Sequence, residues 1–124
     1  MKKILFLLFF TAAVFAGCKK EEKSDNPFFN KYDTPFEVPP FEQIKAAHFM
    51  PAYLKGIEEE RNEIKVIISN PDKPTFDNTI KALEYSGQRL HKVSRVFGPL
   101  NSANTNDTLQ KINRELSPIL SKHR

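Results

Sequence analysis

Apolar positions along this chain follow three rhythms, and each predicts a different kind of segment. Residues 4–16 form a charge-free, apolar run of 13 residues, shorter than the roughly 20 a membrane-crossing helix needs. Residues 19–40 are polar, with aromatic side chains scattered among charges and prolines. From about residue 48 onward, apolar residues step by three and four, the period of a helix that buries one face. No strand-like alternation and no internal repeat competes with that period.

The helical period predicts three helices. The first spans about 48–69, with Tyr53, Ile57, Ile64 and Ile67 or Ile68 on one face. Pro51 suits its first turn, where a missing N–H costs nothing. Asn70-Pro71-Asp72-Lys73-Pro74 ends it, because two prolines cannot continue a helix. Thr75 is a natural N-cap for the second helix, and Asp77 sits well against its dipole. Its stripe reads Phe76, Ile80, Leu83, Gly87, Leu90, Ser94 and Phe97, as one unbroken helix. Gly87 and Ser94 are small, so a neighbour is expected to approach closely there. Val93, Val96 and Leu100 fall off this stripe and are expected to face further helices of a longer protein. Thr105 or Asn106 caps the third helix, striped by Leu109, Ile112, Leu116 and Ile119 or Leu120. Pro118 lies inside it and is expected to kink it.

Charge narrows the function classes. The chain carries a net +4. Removing Lys2 and Lys3 with the leader leaves 17 basic against 15 acidic side chains. No remaining block is basic enough to argue for nucleic acid. His48, His91 and His123 lack the i, i+4 spacing by which one helix presents two zinc ligands, and read as ordinary side chains. With a single cysteine, no disulfide can form within the chain.

That cysteine carries the candidate chemistry. Lys2 and Lys3 form a positive start, the apolar run comes next, and Ala16-Gly17-Cys18 closes it. The junction resembles a bacterial lipobox, with Phe15 in place of the usual leucine. The resemblance implies cleavage before Cys18, lipid on its thiol and attachment to a bilayer. Residues 1–17 then read as a lipoprotein signal peptide and 18–40 as a tether. Phe28, Phe29, Tyr32 and Phe36 in the tether, with Phe41 just past its end, suggest a segment lying against a folded surface. Lys19 and Lys20, with no Asp beside Cys18, point to the outer membrane of a bacterial cell envelope. Lys19-Lys20-Glu21-Glu22 also resembles charged surface-export signals of lipoproteins, which leaves both sides of that membrane open.

A second resemblance covers the rest. Pro39-Pro40-Phe41-Glu42-Gln43-Ile44 runs into Lys45-Ala46-Ala47-His48-Phe49-Met50-Pro51-Ala52. Asn70-Pro71, Pro74-Thr75-Phe76-Asp77-Asn78-Thr79-Ile80 and Ala82-Leu83-Glu84 come after it. Val93-Ser94-Arg95-Val96-Phe97, the block 102–107 and Arg114-Glu115-Leu116-Ser117-Pro118 complete the series. In this order and spacing, the blocks resemble the opening of the thimet oligopeptidase family of zinc peptidases, nearest its peptidyl-dipeptidase branch. The resemblance implies a large, two-lobed, nearly all-helical enzyme that acts on short peptides and uses zinc.

The family's H-E-x-x-H motif, in which two histidines bind zinc and the glutamate polarises water, is absent from this chain. No catalytic and no metal-binding residue is therefore carried over, and the chain alone is expected to be inactive and to hold no cofactor. Residues 41–124 read as an incomplete N-terminal helical segment, short enough to be marginally stable. The expected role is the non-catalytic start of a lipid-anchored zinc oligopeptidase. The alternative is a free-standing, lipid-anchored helical binding module.

Overall fold

A computed structural model describes residues 24–123. Cys18 and the 1–17 segment lie outside the described residues. Among the described residues every regular element is helical, so the all-α class holds. No helix among them is long and apolar enough to cross a membrane.

Helix α1 (Phe49–Ile68) agrees with its expected span to within a residue at each end. His48 Nδ1 accepts from the Lys45 amide at 3.1 Å just before it starts. At its far end Asn70 Oδ1 accepts from the Asp72 amide and turns the chain into Pro71. Thr75 caps the next element as expected. The Asn78 amide donates to Thr75 Oγ1, and the Thr75 amide donates back to Asn78 Oδ1 at 2.7 Å.

The second helix is not the single unbroken rod that its even spacing led us to expect. A π-helical stretch, Phe76–Lys81, runs into the short α2 (Ala82–Glu84), and the chain then breaks. Helix α3 (Gln88–Ala103) starts afresh after Gly87, whose φ of 68° is left-handed. The break is held from outside. The Gly87 amide donates to Glu63 Oε2 on α1 at 2.8 Å. The Leu83 carbonyl accepts instead from the Ser86 amide and hydroxyl. Even spacing on both sides of Gly87 hid this break, because each half satisfies the helical period by itself.

The break divides the expected stripe. Beyond it, Leu90 and Phe97 are buried; before it, Phe76, Ile80 and Leu83 are exposed. Val93 and Val96 are buried in the core, which overturns their assignment to an outer face. The buried stripe of α3 is Leu90, Val93, Val96 and Phe97, with Leu100 half-buried beside it.

Helix α4 (Asp107–His123) is capped by Asn106, whose Oδ1 accepts from the Leu109 amide at 3.0 Å. It runs through Pro118 without ending. Leu109 and Leu116 enter the core, and Ile112, Ile119 and Leu120 pack at its edge.

The core lies between α1, α3 and α4. Its centre is aromatic: Phe49 stands 5.0 Å from Phe97, and Tyr53 stands 5.7 Å from the same ring, both edge-on. Burial pushes the Tyr53 hydroxyl above the usual tyrosine value, and the Ser94 hydroxyl opposes this. Glycine enters where the backbones meet, for Gly56 on α1 faces the Leu90 main chain on α3.

Candidate functional site: a basic, aromatic groove under an N-terminal strap

Residues 24–32 cross the outside of α3 as a strap. Asn26 anchors it: its side-chain carbonyl caps a short turn at Pro27–Phe29, and its amide donates to the His48 carbonyl at 2.9 Å. Phe28 is 0% exposed and reaches Phe49 at 5.4 Å. Tyr32 is also buried. Two of the spaced aromatics thus lie in the core, while Phe36, at 98% exposure, and Phe41 face outward.

Two cations on α3 fasten this strap. The Arg89 fork donates to the Phe28 carbonyl and to Glu59 on α1, both at 2.6 Å, and stacks over the Phe29 ring at 5.3 Å. Lys92 Nζ donates to the Asn30 carbonyl at 2.6 Å and stands 3.7 Å above the Tyr32 ring. Burial, helped by the nearby Arg89 charge, pushes the Lys92 amine below the ordinary lysine value, and Glu37 opposes this. Hydrogen bonds to charged donors are the stronger kind, and cations over ring faces add to them.

Strap and helix enclose an open groove of about 710 Å³, with Lys31, Glu37, Phe41 and Arg95 on its walls. Lys31 pairs with Glu37 at 2.7 Å, both well exposed. Arg89 and Lys92 are engaged by strap carbonyls. Chemically the groove is a latch in which Arg89 and Lys92 hold main chain.

Elsewhere, α4 is tied to α1 where His123 Nε2 donates to Glu60 Oε2 at 2.6 Å. The histidines do not converge: His48 caps the turn before α1, His91 is exposed and His123 pairs with Glu60. Among the described residues, no three His, Cys, Asp or Glu side chains come close enough to hold a metal ion. These residues therefore do not fit a zinc site. Cys18, the expected lipid attachment point, lies outside the described residues. Sequence reasoning missed Arg89 and Lys92. Their i, i+3 spacing on α3, set against the aromatics of 28–32, was the available signal, and a weak one.

No protein-family model matches the chain. It is 41% identical over 97 residues to the dipeptidyl carboxypeptidase of Escherichia coli K12, a stretch covering 78% of this chain and 14% of that protein. The dipeptidyl carboxypeptidase of Salmonella typhimurium is 39% identical over 98 residues, again 14% of its length. Oligopeptidase A of Haemophilus influenzae is 33% identical over 86 residues, covering 69% of this chain and 12% of the relative. The chain thus spans about one-seventh of the length of these relatives. Across the residues it shares with them, the chain is a homologue of dipeptidyl carboxypeptidase and oligopeptidase A, which are members of the thimet oligopeptidase family.

Proposed function

We propose that this chain is the N-terminal, non-catalytic part of a lipid-anchored zinc metallopeptidase of the peptidyl-dipeptidase type. The whole protein degrades short peptides in the bacterial cell envelope. The observation that carries this is the 41% identity over 97 residues to a dipeptidyl carboxypeptidase, matched to only 14% of that enzyme. The share of zinc chemistry falls to the remainder of the polypeptide. Support for the lipid anchor comes from Lys2, Lys3 and the Ala16-Gly17-Cys18 junction.

The test is a chimera in which this chain replaces the matched stretch of the Escherichia coli enzyme. A folded chimera that cleaves peptides supports the reading. A chimera without peptidase activity, made from a chain that folds well alone, overturns it. The anchor is tested separately by fractionating the 124-residue chain. It is expected with membranes, and Cys18→Ala is expected in the soluble fraction. A wild-type chain that carries no lipid by mass spectrometry sinks the anchor.

A further inference from the structure

The 76–84 arm turns its apolar side away from the core. Phe76, Ile80 and Leu83 step by four and three along it, yet they are 70%, 55% and 52% exposed. Tyr85, just past its end, is exposed as well. The arm is fixed at both ends. The reciprocal Thr75–Asn78 bonds close its start, and Asp77 pairs with Lys81 at 3.1 Å along its side. At the other end Glu63 holds the Gly87 amide. Glu60 backs Gly87 so closely that an added Cβ would lie 2.7 Å from its carboxylate. Three large apolar side chains at helical spacing on a held element are the pattern of a face that another element covers.

We propose that this face docks against helices of the same polypeptide that lie outside the stretch shared with the relatives. The arm, rather than a second face of α3, is then where this module joins the body of a longer peptidase. The inference rests on the reading given under Proposed function. The relatives supply the occupant: the matched stretch is 14% of their length, so each carries about six times as much chain again. The charges beside the stripe disfavour other partners. Asp77 and Lys81 neutralise each other, and Glu84 adds a negative charge. A face meant for a bilayer surface carries flanking Lys and Arg instead. An apolar stripe with nearly balanced edges suits burial inside a helical protein.

The experiment places Ile80→Asp and Leu83→Asp in the chimera and in the 124-residue chain alone, with exposed Gln110→Asp as control. Burying an unpaired carboxylate is costly. Each substitution is expected to lower the chimera's folding equilibrium constant by roughly thirty-fold or more and to leave that of the isolated chain within roughly three-fold of its parent, as at an exposed site. Equal changes in the folding equilibrium constant in the two settings overturn the inference, even with a fully active chimera, which leaves the family reading intact. So does an isolated chain that sediments as a dimer and becomes monomeric with Ile80→Asp, because the occupant is then a second copy. An unsubstituted chimera that has no activity removes the family reading and this inference together.

Discussion

Gly56 and Leu90 meet backbone to backbone: a Cβ placed on Gly56 would stand 2.9 Å from the Leu90 amide nitrogen and 3.0 Å from its Cα. This is where α1 and α3 press together. The sequence pointed to Leu90 as a place of close approach, with Gly87 and Ser94 as the small residues that permit it. The permitting residue is on the opposite helix. Backbone atoms, unlike the tip of a long side chain, cannot step aside cheaply.

Gly56→Ala is therefore expected to destabilise the chain by about 1–3 kcal/mol, the range for overpacking a fitted interface. Gly98→Ala is its counterpart. Gly98 also lies within a helix, but nothing stands within 4 Å of a Cβ there. It is expected to stabilise by about 0.5–1 kcal/mol through helix propensity. Urea unfolding of both variants checks the pair. Opposite signs support the close approach, and two stabilising glycine replacements would falsify it.

Gly87→Ala is expected to cost at least about 1–2 kcal/mol, since a side chain is forced into the left-handed region. The new Cβ also collides with the Glu60 carboxylate that His123 holds. The variant has one escape, which is to straighten 76–103 into a single helix. Carbon chemical shifts at residues 85–87 distinguish strain from straightening. An unchanged stability with unchanged shifts contradicts the account of the break.

The strap is expected to be part of the folded unit. Phe28→Ala removes a fully buried ring and is expected to cost about 3–5 kcal/mol. Arg89→Met deletes the bonds to the Phe28 carbonyl and to Glu59, with an expected cost of about 1.5–3 kcal/mol. Amide exchange of residues 26–32 should accelerate in both variants more than that of α4. If exchange in the strap is already fast in the parent chain, the latch does not hold.

Stability should depend on pH at the alkaline end. Burial raises the Tyr53 hydroxyl above the ordinary tyrosine value of 10.0. The unfolded chain then gives up this proton first as pH rises. The contribution is fully present below about pH 10 and is lost as pH climbs through the folded value. The Tm gap between parent and Tyr53→Phe is expected to shift in favour of the variant from about pH 9 to about pH 11. A gap that stays constant over that range rejects the role of Tyr53.

Much of the fold was legible because punctuation is local. Pro51, Asn70-Pro71, Thr75 and Asn106 each act through their own backbone, so they placed the ends of α1 and the starts of the arm and α4. The break at Gly87 was not legible, because it needs Glu63, twenty-four positions away, to take up the freed amide. The burial of Val93 and Val96 was hidden for a related reason: period alone could not say how α3 is rotated once the arm is cut from it. The strap was half legible. Its aromatics showed that something near Phe28 and Tyr32 seeks a surface, but the cations fastening it are separated from them by about sixty residues. The family likeness was legible throughout, since it rests on residue order rather than on packing.

The strap also sets the length of a leash. A free chain from Cys18 to residue 40 has a reach of some 80 Å when drawn out, at about 3.5 Å per residue. With Asn26, Phe28 and Asn30 fastened to the helices, only the six residue steps from Cys18 to residue 24 remain, and those cannot span more than about 20 Å by the same arithmetic. Under a lipid on Cys18, the helical body would ride close against the bilayer rather than sway at a distance from it. Because Arg89 and Lys92 grip carbonyls, substitutions among the strap's outward side chains would leave that leash as short as it is.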